Sequence, residues 1–104
     1  MAHVYSIPIT STVTAGTEID LSTWITKPIL KIVDAKIFTG SDATNAADWT
    51  DLTLVDDGYE TTTTPSAGEI ALSDEQGVTL GSNTTDRDIL VITVTFKDEV
   101  FKPS

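Results

Sequence analysis

Along most of the chain, apolar residues alternate with polar ones at a spacing of two. In residues 4–14, Tyr5, Ile7, Ile9 and Val13 fall on one parity, and Ser6, Pro8, Thr10, Thr12 and Thr14 on the other. This is the pattern of a strand with one wet face. Pro8 lacks an N–H, which predicts a sheet edge or an extended arm. Ala15-Gly16-Thr17 breaks the segment, residues 18–21 alternate again, and Ser22 or Thr23 is placed to cap a single turn around Trp24 before Pro28 stops it. Ile29–Phe38 reads as the next strand. Leu30 and Ile32 share one parity and Ala35 and Ile37 the other, so a bulge near Val33-Asp34 is predicted to bring both pairs to one face.

Residues 39–48 read as a loop with room for one helical turn at 43–47. Residues 49–55 read as a strand with Leu52 and Leu54 inward, and Asp56-Asp57-Gly58 as a tight turn into a return strand over residues 59–64. Four consecutive threonines in that return strand leave its register weakly specified by burial. A short strand at 69–73, a turn at 74–77, an alternating Val78 and Leu80, and a loop at 81–86 follow. Residues 89–97 give the strongest strand. Leu90, Ile92, Val94 and Phe96 share one face, while Ile89 and Val91 cover the start of the other, which predicts a central position. No window carries the apolar spacing of an amphipathic helix. Branched Thr, Val and Ile favour extended backbone. The fold class expected is all-β: a single antiparallel β-sandwich or small β-barrel of about seven to eight short strands. The chain reads as one domain over residues 1–104, with 1–14 as an edge strand or arm.

Composition removes several functions. The formal net charge is −10, from 16 Asp plus Glu against 6 Lys plus Arg. The only arginine, Arg87, sits between two aspartates. Such a chain is repelled by DNA, RNA and anionic lipid, so neither nucleic acid nor membrane is expected as a partner. With no cysteine, thiol catalysis and Cys-ligated metals are excluded. The start, Met1-Ala2-His3-Val4-Tyr5-Ser6, has neither a basic stretch nor a long apolar one, so no secretory signal is expected.

Candidate chemistry is sparse. Asp42, Asp48 and Asp51 cluster around the predicted loop, Asp56 and Asp57 sit in a predicted turn, and Asp86 and Asp88 form a D-x-D, and none of these has the spacing of a calcium loop. Aspartates favour turns because they hydrogen-bond their own backbone, so no metal or cofactor is expected. His3 is the single imidazole and lies near the N-terminus, where a catalytic triad would need it pinned. The expectation is that the chain is not an enzyme. What remains are contact residues: Tyr5, Ile7, Pro8 and Ile9 of the first strand, for addition to a neighbouring sheet, and Trp24, Trp49 and Tyr59 as interface anchors or sugar-stacking rings.

A cysteine-free, acidic, threonine-rich all-β chain with the short N-terminus Met1-Ala2-His3-Val4-Tyr5 resembles small structural proteins of tailed-bacteriophage virions. The likeness is to capsid decoration (cement) proteins and related head or tail accessory proteins. It lies in overall character across the chain and not in a motif, so it carries over no functional residue. It implies a subunit that sits on the outer capsid surface, having passed through the host cytoplasm before assembly. Its partner would be the major capsid protein or another virion protein, and the subunit itself a homo-oligomer such as a trimer. A tail or head-completion accessory protein fits the same likeness. A carbohydrate-binding or adhesin-like module is the alternative from another class, and a small acidic enzyme ranks last.

Overall fold

The computed structural model describes residues 2–39 and 49–99. Among these residues the strands are β1 (His3–Pro8), β2 (Glu18–Asp20), β3 (Ile29–Phe38), β4 (Trp49–Asp51), β5 (Thr53–Leu54), β6 (Glu69–Asp74), β7 (Gly77–Leu80) and β8 (Ile89–Phe96). They form two four-stranded sheets, β1-β8-β3-β4 and β2-β7-β6-β5. The first is antiparallel throughout. The second is mixed, because β5 runs parallel to β6. The expected wholly antiparallel arrangement is therefore corrected, and so is the barrel: the two sheets do not close on each other.

The strongest apolar alternation lies at the centre of its sheet. Leu90, Ile92, Val94 and Phe96 of β8 are buried, flanked by Ile7 of β1 and by Ile32, Ala35 and Ile37 of β3. Ile70, Leu72, Val78 and Leu80 of the second sheet join the same apolar cluster, with Leu21 and Ile25. Each such side chain contributes roughly 1.5–3 kcal/mol by leaving water. The bulge in β3 falls at Val33, between Ile32 and Asp34, and it lets Ile32 and Ala35 both face the core. A second shift, between Ile29 and Lys31, has no counterpart in the alternation.

Three expectations are corrected. The first strand ends at Pro8 and does not run to residue 14. Beyond it, the Ile9 N–H bonds the Asp88 carbonyl (2.9 Å), Val13 makes one bridge to Thr84, and the Gly16 N–H reaches Leu80 of the other sheet (2.9 Å). Residues 49–55 are not one strand. The Leu52 N–H still bonds Ala35 of the first sheet, but the Thr53 N–H bonds Gly68 beside the second, so the chain changes sheets at Leu52. Residues 59–64 do not return along 49–55. Tyr59 bridges Lys31, Glu60 bridges Leu72, and the Thr61 N–H donates to the Leu72 carbonyl.

The turn between these two segments does have the left-handed backbone its sequence suggests, with φ of 51° at Asp56, 58° at Asp57 and 88° at Gly58. Gly58 is required twice over, since a Cβ there would also collide with the Ile32 carbonyl of β3. Around Trp24 a single turn forms, with the Ile25 N–H on the Leu21 carbonyl (2.8 Å). Its cap is Asp20, whose carboxylate accepts the Ser22 N–H (2.9 Å), and not Ser22 or Thr23. The helical turn expected at 43–47, Asp42, Asp48 and the C-terminal tail lie outside the described residues.

Candidate docking surfaces

The two lateral sides of the molecule differ because of the path just described. On one side, residues 49–61 shuttle between β3 and β6 and tie the sheet edges together. On the other, β1 and β2 end their sheets, and among the described residues no strand pairs with their outer sides. A groove of about 400 Å³ runs between them, lined by residues 7–14 and 17–20 and by Trp24.

The outer side of β1 can be read atom by atom. Ile9 directs its N–H inward to Asp88, and hydrogen-bonding direction alternates along a strand. Val4, Ser6 and Pro8 therefore direct their backbone groups outward. Pro8 has no N–H, so its imide nitrogen faces outward at no loss to the ladder. The open edge offers the N–H groups of Val4 and Ser6 and the carbonyls of Val4, Ser6 and Pro8. No residue of β1 is Asp, Glu, Lys or Arg. By contrast β2 exposes Glu18 and Asp20. Asp20 is held below the usual carboxylate range, chiefly by the Ser22 N–H and then by the Ser22 hydroxyl.

A second surface is the outer face of the first sheet. Residues directly opposite across a pair of strands share a face. Pro8 opposes Ile89, Ile89 opposes Phe38, and Phe38 opposes Trp49, so one apolar row crosses all four strands. The next row is Ser6, Val91, Lys36 and Asp51. Phe38 and Trp49 are in ring contact at 5.1 Å, and the Lys36 ammonium lies 4.9 Å from the Trp49 ring centre.

The residues singled out in the sequence are distributed over these surfaces. Ile7 and Ile9 are buried and offer no side chain to a partner. Tyr5 is half-buried, edge-on to Phe96 at 6.3 Å. Pro8 and Trp49 stand at opposite ends of the apolar row. Tyr59, 45% exposed, lies under the Lys31 ammonium (5.2 Å) at the far end of β3 from Trp49. Trp24, 39% exposed, borders the groove on the other side of the molecule. Trp24, Trp49 and Tyr59, each offered as a stacking ring, thus lie on separate parts of the surface. Sequence reasoning missed Phe38 and Val4 as surface residues, and it noted Ile89 and Val91 only as cover for the central strand.

The candidate chemistry resolves into local structure. Asp88 is buried and its carboxylate accepts the Thr85 N–H (3.0 Å). Asp56 and Asp57 form the left-handed turn. Nε2 of His3 lies 2.8 Å from Oε1 of Glu99, with the ring against Phe96. Among the described residues no three His, Asp or Glu side chains are grouped as metal ligands, and no helix is long and apolar enough to cross a membrane. No known protein family matches the chain, and no curated protein and no solved structure shows significant similarity to it.

Proposed function

We propose that the two sheets form a β-sandwich that works as a non-enzymatic structural protein on the outer surface of a larger symmetric shell. Its concrete form is a decoration protein of a phage head, bridging neighbouring copies of the major capsid protein. The observation that carries this reading is the uncharged open edge of β1 in a chain of net charge −10. Natural edge strands are commonly blunted by charge. Here the one blunting device is Pro8, which limits the exposed donors to Val4 and Ser6. A strand added there gains a handful of backbone bonds, each worth roughly 0.5–1.5 kcal/mol net. One such contact is weak, and many copies engaging a lattice bind tightly through effective concentration.

The test is cosedimentation with empty phage heads, compared with binding to the same coat protein as free subunits. Shell binding tighter by about 100-fold is expected. Equal affinity for the two forms overturns the lattice mechanism, and no binding to shells overturns the reading.

A further inference from the structure

The outer face of the first sheet has a property that strand addition does not use. The charged residues on its four strands are Lys31, Lys36, Asp34 and Asp51, which sum to zero, so the strands of this face add nothing to the chain's net charge of −10. Repulsion between two copies is therefore weakest here. We infer that this face is self-complementary and that a second copy of the chain docks on it, face to face about a two-fold axis.

The rows give the geometry. Let the axis run along the strands, between β8 and β3. Trp49 of one copy then lies on Pro8 of the other, and Ile89 lies on Phe38. In the polar row Asp51 meets Ser6 and Lys36 covers Val91. Apolar residues meet apolar ones, and the aspartate meets a hydroxyl donor. An isologous contact repeats each pair twice. The size of the face sets the strength. Four strands about 4.8 Å apart and a few rows roughly 7 Å apart cover about 300–400 Å² per copy. A stable complex needs about 800 Å² from each partner, so this dimer is weak and reversible. The inference is independent of the shell reading, since it concerns only purified chain.

Sedimentation equilibrium of the full chain, up to about 1 mM and at about 20 and 500 mM NaCl, tests it. A monomer–dimer equilibrium is expected that tightens several-fold in the higher salt, where repulsion between the acidic bodies is screened. Trp49→Asp and Pro8→Lys should each weaken self-association about tenfold or more. Mixed together they should regain it, because the carboxylate introduced in one chain then faces the ammonium introduced in the other, while the remaining Trp–Pro contact is native. Circular dichroism melts of each variant check folding, and Thr79→Ala, on the outer face of the second sheet between the buried Val78 and Leu80, should leave the dimer unchanged. A wild-type chain that stays monomeric at the highest concentration and salt overturns the inference. So does a dimer indifferent to both face variants, a mixture that fails to recover, or a dimer lost in Thr79→Ala.

Discussion

Single residues fix the connections that the strand pattern leaves open. Gly58 combines a φ of 88° with a backbone packed against the Ile32 carbonyl, so Gly58→Ala brings both a left-handed penalty and a collision. At Gly16, φ is 87° but a Cβ would meet nothing within 4 Å. Urea denaturation should separate the two: about 1–2 kcal/mol lost in Gly16→Ala and at least about 3 kcal/mol in Gly58→Ala. Equal losses would mean that the packing of the turn on β3 contributes nothing. Asp20 gives a pH signature. The Ser22 N–H lowers its pKa below 3.8 in the folded chain. Its contribution is therefore complete above the unfolded value and lost as pH falls through the lower, folded one. Asp20→Asn keeps an acceptor without a titrating charge. The stability difference between wild type and this variant should shrink as pH is lowered from about 5 to about 2, and a constant difference would show that the carboxylate's charge is irrelevant to the turn.

At the scale of elements, β3 and β8 were legible because long runs of β-branched residues alternate, and the parity change at Val33 announced its bulge. The path of residues 49–61 was not. Leu52 and Leu54 keep one parity, which reads as a single strand, yet the chain changes sheets between them. Alternation records which side chains are buried and not which sheet buries them. The segment from Tyr59 into the threonine run gave no apolar pattern from which the pairing of Tyr59 with β3, or of Glu60 and Thr61 with β6, could be inferred. The edge position of β1 was legible through Pro8 alone, and that assignment has a direct test. Val4→Pro removes an outward N–H and should alter stability by less than about 1 kcal/mol. Tyr5→Pro removes an inward bond to β8 and should lose about 3 kcal/mol or more. If the two variants melt alike, the hydrogen-bonding direction assigned to β1 is wrong. If Val4→Pro folds and still binds shells fully, strand addition through this edge is excluded.

For the whole molecule, the sign of the charge was plain from composition, but its distribution was not. A neutral sheet face appears only when register places Lys36 beside Asp51 and sets Pro8, Ile89, Phe38 and Trp49, distant in sequence, in one row. The same distribution governs stability. Among the described residues the lysine ion pairs, Lys27 with Asp98 and Lys97 with Glu75, are exposed, and water and salt screen exposed pairs so that they contribute little. Against them stands the mutual repulsion of an excess of ten negative charges in a compact body. Repulsion of that range is screened once the Debye length falls below the spacing of surface charges, at about 0.1–0.2 M salt. The melting temperature of dilute, monomeric chain should therefore rise by several degrees between about 10 and 200 mM NaCl and level off beyond, since about 1 kcal/mol corresponds to roughly 4–8 °C in a domain of this size. A melting temperature that falls over that range would mean that local pairs outweigh the net charge, and the neutrality of the first sheet's outer face would then lose its physical significance.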